Sequence, residues 1–334
     1  ARNKKSVTLN ARKAGGQELI RHLVEKSDMI VENFRPGTME RWNLGWDELS
    51  AINPRLIMIR VSGYGQTGPY AARAGYGAIG EAMGGLRYVV GDPSTPPSRV
   101  GISLGDTLAA TFAALGALMA LHNVHRTGRG QVVDSAIYEA VLGVMESLIT
   151  DFDQGDYIRE RTGAILPNIS PSNVYPTKDG KMILIAANQD TVFRRLADAM
   201  GRPELSDDAR YAGHSARGDR QSELDDLIAE WTQTLDSGPL EATLHDHGVP
   251  AGNIYRAPEM LEDAHFKARE AIVRVADHTF GEIAMQNVTP KLSETPGEIR
   301  HAAPLLGEHN DEIYRGLLEL GEAELIALKD DDII

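Results

Sequence analysis

An amphipathic helix leading straight into a continuous apolar run constrains this chain more than any other feature. Gln17 to Lys26 sets Leu19, Ile20, Leu23 and Val24 on one face at helical spacing, and Met29-Ile30-Val31 follows. A strand that is apolar on both faces needs cover on both sides, the situation of a parallel sheet in an α/β protein. The pattern then repeats. Asn33-Phe34-Arg35-Pro36-Gly37 reads as the turn after the strand, Thr38 stands where it can cap a short helix, and Leu56 to Val61 forms a second buried strand. A Gly-rich loop spans Ser62 to Gly75. A long apolar helix starts near Asp106 and runs to about His125, where Thr127-Gly128-Arg129-Gly130 stops it. Gln131 to Ala136 is a strand candidate, and Tyr138 to about Thr150 reads as helix.

Composition shifts after Asp151. Asn173 to Ala187 has the look of a hairpin turning at Lys178-Asp179-Gly180, followed by helices with polar outer faces over about Thr191–Met200, Ser222–Leu235 and Pro239–His247. This is the signature of a second, smaller domain. From Val273 strand-like pieces return, and Pro304-Leu305-Leu306-Gly307-Glu308-His309-Asn310 introduces a terminal helical pair. The 334 residues suit two domains at about 150 residues each.

Composition narrows the chemistry. The chain has no cysteine, so disulfides, zinc ribbons, thiolate catalysis and Cys-held iron–sulfur clusters are excluded, and covalent chemistry must run on oxygen or nitrogen. With 34 basic against 48 acidic residues the net charge is −14, a field that repels nucleic acids and anionic membranes. A local basic pocket for a phosphorylated small molecule remains compatible with it. No stretch approaches the ~18 continuous apolar residues of a membrane span. The opening Ala1-Arg2-Asn3-Lys4-Lys5 carries no Met and no signal-peptide apolar region, which leaves cytoplasmic as the default location.

Several motifs invite a sharper reading and fail it. Gly63-Tyr64-Gly65-Gln66-Thr67-Gly68 matches the dinucleotide fingerprint, but Pro69, Tyr70 and then Gly75 follow instead of a helix that could hold a pyrophosphate. The acid expected downstream would be Glu81, inside a helix and not at a strand end. A Gly loop covering a substrate is the better reading. His122 with His125 lacks a nearby acidic ligand, His245-Asp246-His247 suits a helix end, and Asp151, Asp153 and Asp156 lead to Thr162 where a calcium loop needs Glu. No metal site is expected.

Asp106 stands apart. It follows Gly105 at the head of the long helix, and two readings fit it: an ordinary N-cap worth ~1 kcal/mol, or an activated carboxylate whose helix end favours negative charge and steadies an oxyanion. The residues alone favour the cap. In a chain with no Cys and no convincing Ser-His pair, however, a carboxylate is a reasonable nucleophile.

Taken as an ordered set, the motifs carry a resemblance. Val31-Glu32-Asn33-Phe34-Arg35-Pro36-Gly37, Asn53-Pro54-Arg55-Leu56-Ile57, Gly63-Tyr64-Gly65-Gln66-Thr67-Gly68-Pro69, Gly105-Asp106, Thr127-Gly128-Arg129-Gly130-Gln131-Val132-Val133-Asp134 and Pro304-Leu305-Leu306-Gly307-Glu308-His309 follow one another as in the family III CoA-transferases. This is the CaiB/BaiF group, which includes formyl-CoA transferase and the α-methylacyl-CoA racemases. The resemblance implies an α/β fold with a Rossmann-like large domain built from both chain ends (residues 1–160 and 271–334), a small inserted α+β domain (residues 161–270), and an interlocked homodimer. It also places Ala1 inside the pattern, after a first βαβ unit of about 60 to 70 residues, within the range that makes up a full domain.

The resemblance reverses the reading of Asp106, which falls on the family's nucleophilic aspartate. By analogy its carboxylate takes the acyl group of an acyl-CoA as a mixed anhydride, then CoA itself as an aspartyl thioester, with no metal or redox cofactor. Asn33, Phe34 and Arg41 fall where family members contact CoA, and Arg73 is a further phosphate partner; for Arg41 a surface ion pair is the alternative. Racemases of the group carry Gly-His-Asp where this chain has Gly75-Tyr76-Gly77. Tyr76, with an ordinary phenol pKa near 10, is a poor base at neutral pH, so transfer is favoured over racemisation, with Tyr76 and Gly105 positioning the acyl group. An acyl-CoA epimerase or isomerase, and an inactive CoA-binding subunit, are the competing functions. Leu166-Pro167-Asn168-Ile169-Ser170-Pro171-Ser172 stands where formyl-CoA transferase has a glycine run. That difference argues against oxalate or formate and towards a larger acid, such as a dicarboxylate exchanged against succinyl-CoA.

Overall fold

The computed structural model describes residues 2–334, which form two compact units: 2–88, Val100–Ile158 and His265–Ile334 in one, Val89–Arg99 and Arg159–Ala264 in the other. The first unit is organised on helix α1 (Ala14–Glu25), strand β1 (Met29–Glu32), short helices α2 (Thr38–Arg41) and α3 (Trp46–Ile52), strand β2 (Ile57–Ser62), helices α4 (Gly77–Met83), α5 (Leu86–Val89) and α6 (Leu104–Thr127), strand β3 (Gln131–Ala136), and helices α7 (Ile137–Leu142) and α8 (Leu148–Gly155). The three strands pair in parallel in the order β1-β2-β3. Their carboxyl ends therefore lie along one edge, the edge at which open α/β sheets place ligands.

Burial explains the apolar runs. On one side of the sheet Leu56 and Met58 pack with Val24 of α1, Met39 of α2, Leu44 and Leu49. On the other, Ile57 and Ile59 pack against Ala113, Ala117, Ala120 and Val124 of α6. Each aliphatic side chain fully buried in this way stabilises by about 1.5–3 kcal/mol. The small residues bring α6 close to the sheet; a Cβ on Gly116 would stand 2.7 Å from Val133 Cγ1. By mean hydropathy, 1.6 over an 18-residue window, α6 is long and apolar enough to cross a membrane, yet its alanine face lies on the sheet and Asp106 sits in its first turn. Its other face leaves Phe112, Leu115, Leu118 and Met119 exposed, the last two by 61% and 70%.

Register places Glu32, Arg60 and Asp134 in one row across the sheet. Buried Arg60 donates from Nε to Glu32 Oε1 at 2.7 Å and from Nη1 to Glu40 Oε1 at 2.6 Å. The Arg60 hydrogen bonds hold the Glu40 carboxyl below its usual range despite partial burial. Gly130, between α6 and β3, is required by backbone proximity: a Cβ there would stand 1.7 Å from Leu56 O.

Both ends of the chain meet in this unit. Ser6 N donates to His309 Nδ1 at 3.1 Å, Thr8 N to Asn310 Oδ1 at 2.9 Å, and Tyr314 Oη to Thr8 O at 2.6 Å. The Gly307-Glu308-His309-Asn310 motif thus serves to hold the segment Ser6–Thr8.

The second unit carries an antiparallel sheet, β4 (Ser172–Pro176), β5 (Met182–Ala186) and β6 (Ala251–Asn253), with helices α9 (Asp190–Ala199), α10 (His214–Asp219), α11 (Gln221–Thr232) and α12 (Ser237–Asp246). Tyr175, Ile183, Ile185, Phe193, Leu196 and Leu224 are among its core residues. Arg217, fully buried, is satisfied by the carbonyls of Ser170, Tyr211 and Asn188 and by Asp190. The later hairpin, β7 (Ile272–Asp277) with β8 (Gly281–Gln286), belongs to the first unit.

Three local expectations need correction. Gly37 at φ 82°, not Thr38, caps α2, because the turn enters the helix through a left-handed residue. The helix expected over Tyr138 to Thr150 is broken between α7 and α8, where Glu146 has φ 54°. Asp106 caps nothing: α6 starts at Leu104 behind Ser103, and Asp106 is its third residue.

Candidate active site

The site is built where α4 meets α6. Tyr76 is the N-cap of α4, in extended conformation, with its carbonyl accepting from Ile79 N at 2.9 Å and Gly80 N at 3.1 Å. Its ring is 79% exposed. Gly77 follows, and the Asp106 carboxylate lies directly on it: a Cβ built on Gly77 would stand 2.3 Å from Asp106 Oδ2 and 2.7 Å from Cγ. With the carboxylate in this place, only hydrogen at position 77 leaves room. Among the described residues the carboxylate makes no hydrogen bond or ion pair, and Asp106 is exposed. It sits in the first turn of a 24-residue helix, whose amide dipoles favour negative charge there.

Gly105, one residue earlier, is buried and equally crowded, with a built Cβ 3.0 Å from Glu81 Cγ and 3.2 Å from both Gly77 O and Ile137 Cγ2. Gly80 meets Ile137 Cγ2 at 2.5 Å in the same sense. Glycines at 77, 80 and 105 thus let α4, α6 and α7 close on one another around the carboxylate. Glu81 is the member of this cluster that the sequence motifs do not single out; its helical spacing from Gly77 is the one signal that points to it.

The Gly loop closes over its own neck. Gly63 and Gly75 approach so tightly that a Cβ on Gly63 would lie 2.8 Å from Gly75 Cα. Gly65 and Gly68 take φ 87° and 88°, open to glycine and strained for other residues. Gln66 N donates to Asp134 Oδ2 at 2.8 Å, tying the loop to β3. The chain runs from the loop through Tyr70 and Arg73 to α4, so no helix opens on the glycines and the dinucleotide reading fails here too. Arg73 lies over the Tyr70 ring at 3.6 Å.

Asn33, Phe34 and Arg41 form a separate group at the end of β1. Phe34 N donates to Glu32 Oε2 at 2.6 Å, and its ring meets Trp42 edge-on at 5.1 Å. Arg41 Nη2 donates to Thr38 Oγ1 at 2.8 Å. Among the described residues neither Arg41 nor Arg73 has an ion-pair partner, so the surface pair considered for Arg41 is not formed. This group and Asp106 belong to the same unit, without a direct hydrogen bond between them among the described residues. No set of three or more His, Asp or Glu among the described residues could hold a metal ion. His245 and His247 instead bond the carbonyls of Ala251 and Thr243.

The Asp106 carboxylate is thus exposed, uncommitted among the described residues, in the first turn of a long helix and seated on glycine. The model of CoA-transferase family III matches residues 1–310. A succinyl-CoA–D-citramalate CoA-transferase of Chloroflexus aurantiacus is 59% identical over 98% of this chain and 82% of its own length. A formyl-CoA:oxalate CoA-transferase of Streptomyces coelicolor is 33% identical over 99% of the chain and 84% of its own. Among solved structures, a CaiB/BaiF family protein from Brucella suis superposes with a TM-score of 0.84 at 32% identity, covering 95% of this chain and 82% of that one. The mixed α/β fold is that of the CaiB/BaiF proteins, and the chain is a member of CoA-transferase family III.

Proposed function

We propose that this enzyme moves CoA from succinyl-CoA to a hydroxylated dicarboxylic acid of the citramalate type, with Asp106 as the covalent carrier. The observation that carries the mechanism is the unpaired Asp106 carboxylate resting on Gly77. The substrate class is supported by the Chloroflexus relative, at 59% identity against 33% for the oxalate enzyme.

Each step exchanges one activated carboxylate for another. A carboxylate oxygen of Asp106 attacks the thioester carbonyl, the C–S bond breaks, and CoA leaves as thiolate from a mixed anhydride. The thiolate attacks Asp106 Cγ, the Cγ–O bond to the donor acyl group breaks, and the donor acid departs from an aspartyl-CoA thioester. The acceptor carboxylate attacks Cγ and expels the thiolate; the thiolate then attacks the acceptor's acyl carbon, and Asp106 returns as carboxylate. The amide end of α6 faces the charge that develops. Tyr76 and Gly105 position the acyl group, and Asn33, Phe34, Arg41 and Arg73 receive CoA. The two unpaired guanidinium groups give an anionic protein, net −14, a local place for phosphates.

Hydroxylamine added during turnover should mark Asp106 as a hydroxamate in peptide mass spectrometry. A panel of acids against succinyl-CoA should show exchange with citramalate-type dicarboxylates and little with oxalate or formate. Turnover with no adduct at Asp106, or no exchange to any dicarboxylate, overturns the reading.

The same proposal includes the Rossmann-like large domain with its inserted small one, and an interlocked homodimer. The exposed Phe112, Leu115, Leu118 and Met119 face of α6 supports a second copy, since contiguous apolar surface of this kind marks an association site. Sedimentation should give twice the chain mass at micromolar concentration; a single-chain species there rejects the dimer.

A further inference from the structure

The first amides of a helix have no partner within it, and ordinarily a side chain at the N-cap takes one of them. Ser103, at the head of α6, makes no such bond. Gly105 N, in the same first turn, donates instead to Glu81 Oε1 at 3.1 Å, an acceptor from a different helix. Glu81 is only 1% exposed, and its other oxygen accepts from Arg87 Nε at 2.8 Å. A buried carboxylate is tolerable when charge-assisted hydrogen bonds meet both oxygens, and here one comes from a helix end and one from a guanidinium.

The contacts are reciprocal. Gly77 and Glu81 are four residues apart, hence on one face of α4, and they meet Asp106 and Gly105, which are consecutive on α6. The α4 glycine seats the α6 carboxylate, and the α6 glycine seats the α4 carboxylate. Neither helix can slide without breaking both seats. A carrier that is nucleophile in one step and electrophile in the next must keep its carboxyl group in place through all four, and a displacement of about 1 Å costs on the order of 10²-fold in rate.

We infer that Glu81 is a positioning residue for the transfer, capping α6 from α4 and so fixing where the Asp106 carboxylate stands, with Arg87 balancing its charge. This rests on Asp106 being the nucleophile.

Three variants separate the cap from the charge. Glu81→Ala removes the acceptor, Glu81→Asp keeps the charge but draws it back by one methylene from Gly105 N, and Glu81→Gln keeps an acceptor oxygen at full length. The expected order is Gln above Asp and Ala. The last two should lose about 10²-fold in kcat with KM for succinyl-CoA nearly unchanged, and a larger share of the aspartyl-CoA should be lost to hydrolysis per turnover. Glu81→Gln should recover most of the rate. Should the alanine variant fail to fold, the Asp and Gln pair decides. Three full-rate variants, an Asp variant outperforming Gln, or a rise in KM at constant kcat would each overturn the inference. Asp106→Ala in the same assay keeps the two ideas apart: activity there removes the nucleophile assignment itself, whereas an inactive Asp106→Ala beside unaffected Glu81 variants removes only the role of Glu81.

Discussion

Asp106→Ala should lower CoA exchange by at least about 10⁴-fold, the scale on which removing a covalent nucleophile acts when the remaining machinery is intact. The cluster offers no ready substitute among the described residues: the chain has no cysteine, and the other carboxylate of the cluster, Glu81, is buried and bonded on both oxygens. The loss should come without loss of fold, because the Asp106 carboxylate makes no hydrogen bond or ion pair among the described residues and removing it breaks none. Asp106→Asn sharpens the experiment. It preserves size and the seat on Gly77 but presents an amide, which does not form the anhydride, so it should be as inactive as alanine while still binding CoA. Exchange within about tenfold of wild type in either variant, on a scale where removing a triad nucleophile costs far more, would show that the acyl group is carried elsewhere.

The elements around this carboxylate were legible to different degrees, for physical reasons. Strand β2 declares itself because both its faces are buried, leaving Leu56 to Ile59 without polar alternation. Strand β1 shows the same apolar run in Met29-Ile30-Val31, but there Val31 is exposed and the expected cover on both faces is not seen. Helix α6 is equally plain in its length and in its stop at Gly128, which adopts φ 73°. What periodicity does not carry is the pairing of distant polar groups. Arg60 reads as an interruption of an apolar strand, and only the register with Glu32 and the approach of Glu40 turn it into a buried ion-pair centre.

The candidate site shows the same division. Asp106 and Tyr76 stand in motifs that order and spacing expose. Glu81 does not, because its meaning lies in a hydrogen bond to Gly105 across 24 positions. The start of α6 is obscure for a related reason. Asp is a preferred capping residue, but Asp106 is the third helical residue, and the Gly105 amide in the same turn finds its acceptor on α4, in Glu81.

Gly77→Ala offers the second large effect, and it separates seat from scaffold. The added methyl would stand 2.3 Å from Asp106 Oδ2 and 2.7 Å from both Cγ and Oδ1, well inside contact distance. Every atom it meets belongs to the end of a side chain that can rotate away. Gly77 opens α4 directly after its N-cap and does not need a positive φ, so its backbone accepts alanine, and the fold should be kept while the carboxylate is forced off its seat. Activity should fall by about 10²-fold or more, through kcat and not through CoA binding. Gly80→Ala provides the contrast. Its methyl would meet Ile137 Cγ2 at 2.5 Å, Ile137 Cβ at 2.8 Å and the Tyr138 backbone at 3.2 Å, so helix α4 itself must move and thermal stability should drop. Measured side by side by thermal melts and exchange rates, Gly77→Ala should lose rate at unchanged melting temperature and Gly80→Ala should lose melting temperature. A Gly77→Ala enzyme with full kcat would mean that the reacting carboxylate does not use this seat.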